Sequence, residues 1–265
     1  MISIVSVYNN EGLLGEYLLR GLAHQTVEFE LITVDNTKNT FKSAAEALNY
    51  GGRKARGKYI MFAHQDIRLC SNTWISDAER ALDSIPNLGA AGIAGKGKDG
   101  GLSNLTHGVD RVSVGTTVND LAIVDTVDEC LIVVPRKVFD VLKFDQITCS
   151  GWHLYAVDYC LSSRLLGLET YVLPFAAHHL SSDGTPVPAL LIDRVICKLG
   201  IGERCYLPKE YYDTLKKVLK KHRKHTSKIY TVSGDWLVAR PFWLQRTVDL
   251  MKEGANKIHL SLALR

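Results

Sequence analysis

RKARGKYIMFAHQDI, residues 53–67, is the stretch from which the fold is read. Gly57 marks a helix end, since glycine takes the left-handed cap conformation without steric cost. KYIMFA (58–63) is a continuous apolar run of strand length, and a run without polar alternation belongs to a strand covered on both faces. His64, Gln65 and Asp66 follow, so a carboxylate emerges just past a rigid strand end and is expected to be exposed there. The same unit recurs upstream. ISIVSV (2–7) is a strand that ends in Tyr8, Asn9 and Asn10, and Leu14, Leu18 and Leu22 then recur at helical spacing. FELITVD (29–35) is a second strand, and 42–56 an alanine-containing helix.

Downstream, LGAAGIAG (88–95) reads as a fourth strand and 96–120 as a glycine-containing loop or hairpin with the weak patterning of a mobile lid. LAIVDTVDECLIVV (121–134) is one long strand or two, 136–142 and 154–166 are short helices, and LETYVL (168–173) leads to His178 and His179. Strands alternating with helices predict an α/β fold, a mostly parallel central sheet flanked by helices. In such sheets ligands sit beyond the carboxyl ends of the strands. That rule selects Tyr8 to Glu11, Asp35 to Thr37 and His64 to Asp66.

From about 183 the texture changes. Pro186, Pro188 and Pro208 separate short helical segments, so the chain divides into an α/β domain over 1–182 and a helical extension over 183–265. In that extension Lys216, Lys217, Lys220, Lys221, Arg223 and Lys224 interleave with Leu215, Val218 and Leu219, an amphipathic helix with one cationic face. Contact of Lys216–Lys224 with an anionic membrane surface is one reading and a solvated helix face the other. Nucleic acid is not expected, because no aromatic residues accompany the charge and the net charge is only +4.

With 46% hydrophobic and 23% charged residues the 265-residue chain is an ordinary globular sequence. The start, MISIVSVYNNEG, has no basic leader, and no apolar run reaches membrane-spanning length, so a cytoplasmic protein is expected. Six cysteines stand without any C-x-x-C pair, which excludes the common zinc and redox spacings and predicts reduced, mostly buried thiols. A Walker loop, a G-x-G-x-x-G turn and a G-x-S-x-G elbow are all missing, which argues against a kinase, a dehydrogenase and an α/β-hydrolase.

Asp66 has the chemistry of a hard oxygen ligand for a divalent ion that bridges two phosphates, although aspartate also closes strands as an ordinary turn residue. Asp35 has the placement to accept hydrogen bonds from a ribose or base, or simply to cap its loop. SIVSVYNNE, ITVDN, A-x-G-K-Y-I-x-F with its following aspartate, and VDECLIVVPRKVF before FDQ occur in an order that resembles the GT-A fold of family 2 glycosyltransferases over the first ~180 residues. HQD at 64–66 in place of Asp-x-Asp, with GWHLYAVDYCL (151–161) and HHLS (178–181), is most similar to the bacterial capsule-type glycosyltransferases.

The resemblance implies an inverting transferase that moves a hexose from a nucleoside diphosphate sugar to a hydroxyl of a glycan or lipid-linked glycan. It implies that Ser6, Tyr8 and Glu11 line the nucleobase pocket, that Asp35 binds base or ribose, and that Gln65 and Asp66 complete the donor site. It further implies a divalent metal on Asp66 with His179 or His178, and imidazole makes manganese a better match than magnesium. The acidic segment that supplies the family's general base aligns on Tyr155, Ala156 and Asp158, which leaves Asp158 as base, with His153 second. Trp152, Asp128 and Glu129 are the acceptor-binding candidates. A sugar-nucleotide-binding or glycan-binding domain without turnover, and a sugar nucleotidyltransferase, are the competing readings.

Overall fold

In a computed structural model the strand Tyr59–Ala63 lies near the middle of a seven-stranded sheet. The structure describes residues 1–113, 115–180, 207–241 and 244. The strand order is Ala122–Val124, Glu169–Val172, Leu88–Gly92, Leu131–Pro135, Tyr59–Ala63, Ile2–Tyr8, Glu30–Asp35. All strands run one way except Leu131–Pro135 and Ala122–Val124. The expected mostly parallel sheet with helices on its faces is therefore present, with two antiparallel strands in it.

Two apolar clusters sit on opposite faces of this sheet, and the two-residue strand period assigns each side chain to one of them. Val5, Ile60, Phe62, Ile132 and Val134 face the helices Ala44–Gly52, Arg136–Val141 and Tyr155–Arg164. Ile4, Met61, Leu131 and Val133 face the helical segment 11–22 and the helix Trp74–Asp83. Ala44–Gly52 packs so tightly that a Cβ on Gly51 would lie 2.4 Å from Val5 Cγ1. Trp74–Asp83 lies outside the elements predicted from the sequence, and Trp74, Ile75, Ala78 and Leu82 form its buried stripe.

Some boundaries differ from expectation. The run 88–95 splits at Ile93, with Leu88–Gly92 in the main sheet and Ala94–Gly97 in a small three-stranded sheet. The run 121–134 forms three strands rather than one or two, Ala122–Val124, Thr126–Val127 and Leu131–Pro135. The region 96–120 holds short strands at Gly100–Ser103, Leu105–His107 and Val112–Ser113. Of the cysteines within the described residues, Cys130, Cys149 and Cys160 are buried free thiols and Cys70 is exposed.

The 182/183 division and residues 183–206 fall outside the described residues. The later described segment forms the helix Lys209–His222 and the hairpin Lys228–Thr231/Gly234–Leu237. Tyr211, Tyr212, Leu215, Val218, Ile229 and Trp236 join the same cluster as Phe62 and Phe139. The apolar stripe of the cationic helix is thus buried in the protein. Lys217 Nζ bonds Ser150 Oγ at 2.7 Å, and Lys221 Nζ bonds Asp158 Oδ2 at 2.7 Å and Asp145 Oδ2 at 3.0 Å. Within Lys216–Lys224 those two lysines hold the fold together. No described helix is long and apolar enough to cross a membrane.

Asp158 is the pivot of that attachment. Its other oxygen, Oδ1, lies 2.8 Å from His222 Nε2, and Asp158 and His222 are 2% and 1% exposed. Removing one partner of a buried pair strands the other in a medium that cannot solvate it. Asp158→Ala should therefore lower the unfolding free energy by about 3 kcal/mol or more, measured by urea denaturation of wild type and variant.

Candidate active site

At the carboxyl end of the parallel strands lies a cleft of ≈ 880 Å³. Its walls come from the exits of the strands Ile2–Tyr8, Glu30–Asp35 and Tyr59–Ala63, from the loops around 94–103 and 127–129, and from the segment 152–157. Gln65 stitches two of these exits together. Its Oε1 accepts the backbone N–H groups of Asn9 and Asn10 at 3.0 Å each, and its Nε2 donates to Asn9 Oδ1 at 2.7 Å.

Asp66 is only 7% exposed, which corrects the expectation of an exposed carboxylate. The chain turns after Gln65 into the short strand Ile67–Leu69, which pairs antiparallel with Ala177–His179 and brings His179 alongside. His179 Nε2 lies 3.2 Å from Asp66 Oδ1. Burial by itself would raise the Asp66 carboxyl, but the hydrogen bond and charge of His179, with the charge of His64, hold it down to about 2. The group is ionised at any physiological pH.

His64, Asp66 and His179 place ligand atoms within 4.8 Å of one another. Two imidazoles and one carboxylate are a donor set that could hold a divalent metal ion. The neighbours of His64 also prepare it for that role. Tyr155 Oη donates to the Glu129 carbonyl at 2.9 Å and lies 3.0 Å from His64 Nε2. The hydroxyl has one hydrogen and the carbonyl can only accept, so Nε2 is the donor to Oη. In the neutral form of His64 that bond leaves the lone pair on Nδ1, the form a metal ligand needs. His107 also lines the cleft, its ring centroid 5.2 Å from that of His179.

The remaining candidates separate clearly. Tyr8, Gln65, Asp66, His179, Asp128, Glu129, Trp152 and His153 all line the cleft. Ser6 and Glu11 do not. Ser6 is fully buried in its strand and Glu11 starts a helix on the surface. Asp35 sits beside Tyr8 in register at the sheet edge, but its Oδ1 accepts from Thr37 N at 2.8 Å and Thr37 Oγ1 at 2.7 Å, and it is not in the lining. Those bonds lower the Asp35 carboxyl. Asn36 lines the cleft instead.

His178 is removed from the metal set, because adjacent strand residues point to opposite faces. Its Nδ1 lies 3.1 Å from Thr106 Oγ1 and its ring packs 6.2 Å from that of Tyr17. Asp158 is likewise removed as the base. Its carboxylate faces Lys221 and His222 in the protein interior, and the cleft lining contains its neighbours Tyr155 and Val157 but not Asp158 itself.

Glu129 takes on the character expected of Asp158. Burial, then the Asp128 charge, push its carboxyl well above the ordinary range, against backbone N–H bonds from Leu154 and Tyr155 that pull it down. Its Oε1 is buried without a hydrogen-bond partner, and its Oε2 lies 3.9 Å from His153 Nδ1. Leu154 sits at φ 64°, a left-handed conformation rare for a branched side chain, where the cleft loop turns into the helix Tyr155–Arg164.

Tyr155→Phe removes the acceptor of the His64 Nε2 proton and frees the tautomer. Manganese affinity should fall about tenfold, the size typical of losing a group that orients a ligand. Titration of the metal followed by electron paramagnetic resonance checks this, and unchanged affinity would exclude the tautomer role.

The chain resembles TarS 1–349 from S. aureus in complex with UDP, with a TM-score of 0.53, 15% identity, and coverage of 83% of this chain and 64% of that one. It also resembles GalNAc-T7 with UDP, GalNAc and Mn2+, with a TM-score of 0.51, 12% identity, and coverage of 76% and 48%. The chain thus spans less than two thirds of either structure, and identities this low establish the fold, GT-A, alone. None of the curated proteins matches the sequence. Residues 3–182 match the model described as "Glycosyltransferase like family", and the chain belongs to that family.

Proposed function

We propose that the protein is an inverting glycosyltransferase that moves a hexose from a nucleoside diphosphate sugar to a hydroxyl of a glycan or lipid-linked glycan. One observation carries the reading. A preassembled His64, Asp66 and His179 cluster sits at the carboxyl end of the sheet in the same cleft as Glu129, a carboxylate with raised proton affinity. Solved structures of the same fold contain UDP, UDP-GlcNAc, or UDP with Mn2+, which supports a nucleotide sugar as donor.

Tyr8, Asn9 and Asn36 form the base and ribose end of the cleft. His64, Asp66 and His179 form the diphosphate end and would hold the ion. A divalent ion bound there supplies Lewis-acid neutralisation of the charge that grows on the departing diphosphate. Glu129 takes the proton of the acceptor hydroxyl as that oxygen bonds to the anomeric carbon from the face opposite the breaking carbon–phosphate-oxygen bond, which inverts the centre. His153, beside Glu129, is placed to share the proton or orient the hydroxyl.

The nucleotide is found by a melting screen of UDP, GDP, CMP and dTDP with and without manganese, because a ligand of the folded state alone raises the melting temperature. We expect a shift with one diphosphate that grows with manganese and loses its metal-dependent part in Asp66→Ala. No shift with any nucleotide would overturn the donor reading.

Glu129→Gln should reduce turnover of the selected donor sugar by about 10²- to 10⁴-fold while the nucleotide-induced melting shift stays. A base works only when deprotonated, and the Glu129 pKa is raised. The acid limb of the wild-type rate should therefore lie above the usual carboxylate range, with activity falling as pH falls through it. Wild-type protein that binds nucleotide but never turns it over would favour a binding domain.

A further inference from the structure

We propose that residues 207–233, beyond the family-matched segment, form the acceptor-side wall of the cleft, and that this wall selects a neutral saccharide over an anionic one. The proposal rests on the transfer reading above and adds the class of acceptor. Leu207, Pro208, Tyr211, Val232 and Ser233 line the same cleft as Trp152 and His153.

The wall is held rigidly. Tyr211 and Trp236 are in the main core. Thr126 Oγ1 donates to the Tyr230 carbonyl at 2.7 Å, and Asp235 bonds Lys96 and Lys228 at 2.8 Å each. On the cleft side the Glu210 carboxylate accepts the backbone N–H of Trp152. A Cβ on Gly151 would lie 2.0 Å from Glu210 Oε1, so any side chain at 151 would push the Glu210 carboxylate away. Glu210 thereby fixes the position of Trp152 and His153, and the later segment shapes the same end of the cleft that those two residues occupy.

The chemistry of the wall names its ligand. Trp152 is 38% exposed and Val232 49% exposed, which gives an indole and an aliphatic surface for the C–H face of a sugar ring. Ser233, Asp128 and Glu129 supply groups for its hydroxyls. Among the described lining residues Lys96 is the single lysine or arginine, and Asp235 already pairs with it. An acceptor bearing a carboxylate or phosphate would meet the Asp128 and Glu129 carboxyl groups where, among the described lining residues, Lys96 already pairs with Asp235 and His153 faces Glu129, and it would lose hydration at a cost.

Saturation-transfer NMR on the metal-free full chain, with the methyl glycosides of glucose, galactose and N-acetylglucosamine against methyl glucuronide, tests this without a donor. We expect saturation of at least one neutral glycoside, strongest on ring C–H protons, and none of the glucuronide. Binding should weaken about tenfold in Trp152→Ala and in Val232→Asp, both at exposed side chains that the fold tolerates. Failure of every neutral glycoside, equal saturation of the glucuronide, or unchanged binding in both variants would overturn the proposal. The melting screen with nucleotides judges the donor reading separately, since neither variant touches the nucleotide end.

Discussion

An ionised carboxylate in a nearly closed position is the constraint on which this site depends. Asp66 is 7% exposed, and a lone charge there would cost several kilocalories per mole or be lost to protonation. The protein keeps it charged by arranging His179 and His64 around it. That arrangement needs the turn at Gln65, the antiparallel pairing of Ile67–Leu69 with Ala177–His179, and the bond from His64 N to the Cys130 carbonyl at 2.9 Å. The pairing of these strands therefore has a chemical consequence: it brings His179, far along the chain, beside His64 and Asp66, which share one strand exit.

Two departures from the acidic pattern of the resembled family fit each other in space. Residue 64 is a histidine and residue 155 a tyrosine, and the two side chains are in contact. An acid at 155 would face His64 and the Glu129 carbonyl, where a hydroxyl both accepts and donates. The acid three positions on, Asp158, lies on the face of the helix Tyr155–Arg164 turned toward the helix Lys209–His222, and its charge is spent on Lys221 and His222. The later segment of the chain is thus fastened to the same helix that supplies Tyr155 to the cleft.

Much of this was legible in the sequence. Apolar runs at 2–7 and 58–63 mark strands covered on both faces, whereas 29–35, also read as a strand, forms the sheet edge and is largely open. The polar exits of those strands then located the cleft, including Asp66 and Tyr8. What failed depended on orientation. His178 and His179 are equivalent until pairing fixes which one faces Asp66, and a one-residue change of strand parity exchanges them. Asp158 looked like a base because helix spacing places it one turn from Tyr155, but the turn at Leu154, with φ 64°, sets which face meets the cleft, and sequence spacing does not record it. Glu129 was visible only as a polar residue near the acceptor, since its raised proton affinity comes from burial by distant elements. The apolar positions of the amphipathic pattern, Leu215, Val218 and Leu219, pack into the protein core, a partner that no local reading of the run identifies.

The central claim is that His64, Asp66 and His179 together hold the ion that meets a nucleoside diphosphate. Crystals grown with manganese and the diphosphate that raises the melting temperature, measured at the manganese absorption edge, test it most directly. The account predicts one anomalous peak bonded to all three side chains and to phosphate oxygens. A peak that omits His64 or Asp66, or nucleotide bound in the cleft with no metal at this cluster, would contradict it.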